Sequence, residues 1–193
     1  MLIGITGILG SGKSTFLNFF KEKKFPVFNS DEVVKKLYKK KEFIKKIKNK
    51  FPQFFKKNKL LKKEFSNYIF SSKENLEKLE EIIHPEVLKE LIKFKEKNKR
   101  KISAAEVPLL FEKKLENIFD IIVCISTSEK IALKNFSIEK NISIEEAKKR
   151  LQYQMPIEEK KKLSNYVIEN DGTIDDLRKK FNLFLNEIKK KYL

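Results

Sequence analysis

Apolar positions along the chain follow two periods. Leu2, Ile3 and Ile5 make a short run of strand length, and Phe16, Leu17, Phe19 and Phe20 follow at the spacing of one helix face. "FPVFNSD", 25–31, predicts a second short strand entering a turn, where Ser30 or Asp31 can cap the next helix. That helix is expected to carry Val33 or Val34, Leu37, Ile44, Ile47 and Phe51 on one face, lysines on the other, and Pro52 as its stop. Helical spacing continues from 60 to 98 through Phe65, Ile69, Leu76, Leu79, Ile83, Val87, Leu91 and Phe94, with a restart expected at Pro85.

Beyond residue 100 the strand period returns. "KISAAEVPLLFE", 101–112, predicts a buried strand and then a loop, and "DIIVCIS", 120–126, a fully covered strand of a parallel sheet. "SIEE", 143–146, matches a capping box and opens a charged helix ending near Gln154, just before Pro156. "YVIEN", 166–170, is a further strand. A last helix runs from Thr173 with Ile174, Leu177, Phe181, Leu185, Ile188 and Tyr192 on one face. Strands alternating with helices predict an α/β protein with a parallel sheet. Ligands then gather beyond the carboxyl ends of the strands, in the loops 7–14, 29–31, 106–112, 126–129 and 170–172.

Composition narrows the class. A chain of 193 residues, 40% hydrophobic with 17 Phe and no Trp, suits one globular domain. No apolar run approaches the ~20 residues that cross a bilayer. No basic stretch precedes the N-terminal apolar run and Lys13 interrupts it early, so no signal peptide and no membrane partner are expected. The single Cys124 lies in an apolar run, which suits a core residue in a reducing cytosol. The net charge is +17, and residues 35–63 hold fourteen lysines against one acid, Glu42. Such a field could hold a polyanion, but only Arg100, Arg150 and Arg178 are arginines, which argues against a dedicated nucleic-acid binder.

Glycine is the most local signal. Four of the five glycines fall within "GITGILGSGKST", 4–15, and Gly7-x-x-x-x-Gly12-Lys13-Ser14 fits the P-loop pattern between a strand and a helix. In that geometry backbone N–H groups and a helix N-terminus surround an anion. Lys13 then reaches the β- and γ-phosphates of a nucleoside triphosphate, and Ser14 ligates Mg²⁺. The plain alternative is a glycine-rich turn that binds nothing. Transfer also needs a group to orient the acceptor and take its proton. Asp31, after the second strand, is the candidate, or else a helix cap. Glu106, ending the third strand, could hold Mg²⁺ through water or be a loop acid, and His84 could be a packed residue or a ligand.

The ordered landmarks "TGILGSGKST", "FNSDEV", "IIHPEV", "EVPLLFE", "RLQYQMP" and "VIENDG" resemble the dephospho-CoA kinase family over nearly the whole chain. The resemblance implies a single three-layer α/β/α P-loop NTPase domain with five parallel strands, its core over about 1–30, 100–130 and 164–193. It also implies a helical acceptor lobe over about 31–99 and a helical lid over about 131–163. The implied reaction moves the γ-phosphoryl of ATP to the ribose 3′-hydroxyl of dephospho-CoA, with Mg²⁺, in the cytoplasm. By the same resemblance Gly10, Ser11, Gly12, Lys13, Ser14, Thr15, Arg150, Asn170 and Gly172 bind ATP, with Gln154 on the lid helix. Asp31 and Lys13 are catalytic, Ser14 and Glu106 hold the metal, and His84, Lys62, Pro108 and Glu112 bind the acceptor.

Three positions depart from the family pattern: Asn29 stands where a second aspartate is usual, Ile8 where a glycine is usual, and "KNFSIE", 134–139, lacks the usual arginines. Lys134 keeps one charge there, the other position falling on Ile138 or Glu139, and Lys148 and Lys149 lie nearby. Another P-loop small-molecule or nucleotide kinase, or a basic nucleotide-binding protein with weak or no transferase activity, stays open as the alternative. A monomer or weak homo-oligomer is expected.

Overall fold

The first apolar run forms β1 (Leu2–Thr6), all five residues buried, in a computed structural model that describes residues 1–192. The glycine-rich turn leads into α1 (Lys13–Glu22), and β2 (Val27–Asn29) follows. The chain forms two compact units, one of residues 1–29 with 95 onward, the other of residues 30–94.

The 30–94 unit opens with α2 (Ser30–Leu37) and α3 (Lys41–Lys50), where sequence spacing predicted one helix. The break shifts the buried face by one position. Leu37 is buried with Phe43 and Ile47 rather than with Ile44, and an unbroken helix cannot aim Leu37 and Phe43 the same way. A 3₁₀ turn over Pro52–Phe54 ends this part, as the proline predicted. A hairpin of β3 (Phe55–Lys56) and β4 (Lys59–Leu60), not anticipated, turns on Lys57 and Asn58, both left-handed at φ 48° and 64°. Next come α4 (Lys62–Ile69) and α5 (Lys73–Lys97), whose last residues belong to the other unit. The expected restart at Pro85 does not occur, and α5 passes straight through it. Pro85 and Glu81, four residues earlier, are both exposed, so the carbonyl lacking its N–H partner can turn to water. The apolar centre is Leu37, Phe43, Ile47, Phe51, Phe65, Ile69 and Leu79.

The remaining elements complete the first unit: β5 (Ser103–Glu106), β6 (Ile121–Ser126), α6 (Glu129–Lys140), α7 (Ile144–Leu151), α8 (Ile157–Leu163), β7 (Tyr166–Glu169) and α9 (Ile174–Tyr192). The five predicted strands pair in the order β2-β5-β1-β6-β7, every pair parallel. The capping box is present at α7, with Ser143 Oγ accepting from the Glu146 N–H. Phenylalanines of α1 and α9 cluster in the core. The Phe181 ring of α9 meets Phe16 at 5.3 Å and Phe20 at 4.9 Å, both edge to face. Arg178 pairs with Glu22 and stacks on Phe19, its guanidinium 4.2 Å from the ring centre. Packing α1 and α9 on the sheet in this way holds the 7–14 turn at the carboxyl end of β1.

Candidate functional site

The turn after β1 works as a P-loop because glycine can take the backbone angles it demands. Gly10 has φ +68° and Gly12 has φ +94°, in the left-handed region. A Cβ on Gly10 would sit 2.0 Å from the Ala132 carbonyl oxygen, so the loop lies directly against α6. Side chains from three other places hold the loop. Gln154 Oε1 accepts the Leu9 N–H at 2.9 Å, Asn135 Nδ2 donates to the Gly10 carbonyl at 3.2 Å, and Asn170 Nδ2 donates to the Ser11 carbonyl at 2.9 Å. The Lys13 side chain is buried and its ammonium donates to the Ile8 carbonyl at 2.6 Å. Ser14 is exposed at the start of α1, and Thr15 follows half-buried.

The carboxyl ends of β1, β2 and β5 converge beside it. Glu106, buried at the end of β5, accepts from Ser14 Oγ at 2.9 Å on one oxygen and from Asn29 Nδ2 at 2.6 Å on the other. Asn29 is thus more than a departure from the family pattern. Its amide gives Glu106 a donor, where an aspartate would set two carboxylates against each other. The sequence could name Asn29, but not this bond.

At the ends of β6 and β7, Asp171 Oδ1 accepts from Thr127 Oγ1 at 2.7 Å and from the Ser128 N–H at 3.0 Å. These bonds, the hydroxyl's first, hold the Asp171 carboxyl below its usual pKa. Gly172 lies in the exposed turn after it. Arg150, near the end of α7, is half-buried, with its guanidinium 5.9 Å from the centre of the Phe136 ring. Burial pulls its pKa down, yet a guanidinium stays charged at neutral pH. Lys134, Ile138 and Glu139 are exposed on α6, as are Lys148 and Lys149 on α7.

In the loop after β5, the Pro108 carbonyl and Glu112 both meet Lys160, at 2.7 Å and 2.8 Å. Sequence reasoning missed Lys160 and Asn135. One lysine in "EEKKKL" resembles any other, and an asparagine on a helix carries no signal of its own.

In the 30–94 unit, Asp31 is exposed in the first turn of α2, and Lys62 is exposed at the start of α4. His84 is half-buried inside α5, its Nε2 3.9 Å from Glu80. The structure brings Lys13, Ser14 and Glu106 together in the first unit, with Asn170 beside the P-loop.

Among the described residues no cluster of three or more His, Cys, Asp or Glu could hold a metal, and no helix is long and apolar enough to cross a membrane. Ser14 and Glu106 are hard oxygen donors 2.9 Å apart. Such a small set fits Mg²⁺, which keeps its waters and takes other ligands from phosphate.

The family model and the curated relatives agree on one family. A family model described as dephospho-CoA kinase matches residues 1–176. The dephospho-CoA kinase of Fusobacterium nucleatum is 34% identical over 190 residues, covering 97% of this chain and 98% of that one. A Thermus thermophilus protein of known crystal structure superposes with TM-score 0.81 at 31% identity, covering 97% of each chain. The dephospho-CoA kinase from Campylobacter jejuni superposes with TM-score 0.72 at 27% identity, covering 100% of this chain and 98% of that one. With a P-loop at β1, a buried carboxylate bonded to its serine and a parallel sheet beneath both, the chain belongs to the dephospho-CoA kinase family.

Proposed function

We propose that this chain transfers the γ-phosphoryl group of ATP to the ribose 3′-hydroxyl of dephospho-CoA, giving ADP and coenzyme A. The observation that carries the reading is the Ser14–Glu106–Asn29 cluster beside Lys13, in a chain of this family. The P-loop amides and Lys13 take the β- and γ-phosphates, Lys13 exchanging the Ile8 carbonyl for phosphate oxygens. Ser14, and Glu106 through water, would hold Mg²⁺, which would supply positive charge against that developing on the transferring group.

Asp31 is the general base. Two residues of chain span at most about 7 Å, so Asp31 stays within that backbone reach of Asn29. Its carboxylate orients the 3′-hydroxyl and takes the proton as the new O–P bond forms and the bond to the β-phosphate oxygen breaks. Arg150, on a lid formed by α6 to α8, closes over the triphosphate. Asn170 and Gly172 lie on the adenine side. Lys62 and His84 serve the anionic acceptor, with Pro108 and Glu112 forming the wall of the loop after β5. The buried free thiol of Cys124 supports a reducing cytosol as the compartment, and a monomer or weak homo-oligomer is the assembly we infer.

The test is an acceptor panel. Protein, ATP and Mg²⁺ are incubated with dephospho-CoA, nucleoside monophosphates or shikimate, and ADP release is followed. Dephospho-CoA should stimulate release by roughly 100-fold over the other acceptors, and a chelator should abolish it. Preference for another acceptor overturns the assignment.

A further inference from the structure

The segment leaving α7 is pinned at two successive residues. Gln154 accepts the Leu9 N–H of the P-loop, and the Met155 N–H donates to Glu112 Oε1 at 2.8 Å. That same oxygen lies 2.8 Å from Lys160 Nζ, and the Lys160 side chain has no exposed surface. The Lys160 ammonium also donates to the Pro108 carbonyl at 2.7 Å, which in turn accepts from Thr6 Oγ1 at 3.3 Å. Glu112 Oε2 is buried with no hydrogen-bond partner. So α8, the loop after β5 and the end of α7 meet at one carboxylate oxygen.

Stability alone does not account for such a pair. Desolvating an ammonium and a carboxylate costs several kcal/mol per ion, and a well-packed apolar pair of similar volume often holds a fold as well or better. An ion pair adds direction. Its bonds fix the loop two residues after Glu106 and the chain five residues after Arg150.

We propose that Glu112 and Lys160 are a positioning pair that fixes the root of α7 against the P-loop, so that Arg150 meets the triphosphate held by Lys13. This inference rests on the phosphate role given to Arg150 above. The acid and the lysine act through backbone, at Met155 and Pro108, rather than by touching the reacting atoms. Misplacing a phosphate-binding group by about 1 Å can cost on the order of 10²-fold in rate.

The test is a double-mutant cycle, because Lys160→Met alone strands a buried carboxylate and can simply unfold the protein. Glu112→Gln keeps the shape and an acceptor for Met155. It should lower kcat/KM for ATP about tenfold with Arg150 present, and less than about twofold in the Arg150→Ala background. Equal losses in both backgrounds, or none in either, overturn the positioning role and leave the Arg150 reading standing. Native kinetics in Arg150→Ala itself overturn that reading and this inference together. The paired replacement Lys160→Met with Glu112→Leu adds a second readout. If it folds, its Tm should match or exceed the native value while kcat/KM for ATP falls about tenfold; full activity in a folded paired variant also overturns the proposal.

Discussion

A buried ammonium must find an acceptor, and Lys13 finds one in its own loop, at the Ile8 carbonyl. Phosphate oxygens can replace that neutral carbonyl with stronger, charge-assisted acceptors, so this bond can be exchanged when a triphosphate binds. Glu106 is the opposite case, with a donor on each oxygen. Cys124 is the third distinctive residue, fully buried in β6. Burial pushes its thiol up to about 11 from an ordinary value of 9.0. A raised acid pKa means that the fold favours the neutral thiol. That contribution is complete below pH 9.0 and fades as pH climbs toward about 11. At pH 8, iodoacetamide should therefore label Cys124 at least ~100-fold more slowly in native protein than in urea-unfolded protein, because only an accessible thiolate reacts. Equal rates would contradict its burial.

Among the elements, the P-loop is the least tolerant of change. Gly10→Ala puts a Cβ against a backbone oxygen of α6, which has no rotamer to escape into, and it also strains a left-handed residue. The cost should be about 1–3 kcal/mol, seen as a lower Tm in a thermal scan and at least ~10-fold weaker ATP binding. Unchanged Tm and affinity would mean that the loop does not press on α6. The sheet was legible in the sequence because its strands are apolar runs of strand length bounded by turn residues, and their alternation with helices admits a parallel arrangement. The β3–β4 hairpin was not. Two-residue strands show no period, and Lys57-Asn58 is an unusual pair for a left-handed turn. Helix α8 was hidden too, since "IEEKKKL" buries only a lysine. The break between α2 and α3 lacks glycine and proline, and only packing decides that Phe43 rather than Ile44 faces inward.

For the whole molecule, the placement of candidate residues was legible where a motif or a strand end fixes it, at Lys13 and Ser14 in the P-loop and at Glu106 beside them. It was opaque where partners meet only in three dimensions, as at Glu112 and Lys160. The charge of +17 does not by itself point to a function, because its lysines cover faces that any solvated helix would show to water. The proposed transfer depends most on Asp31, the proposed group that readies the acceptor hydroxyl. Single-turnover phosphoryl transfer by Asp31→Asn, measured beside its affinity for ATP, tests this most directly. Transfer should slow by roughly 10²-fold or more with ATP affinity unchanged, because the amide keeps the shape but takes no proton. Transfer at the native rate would contradict it.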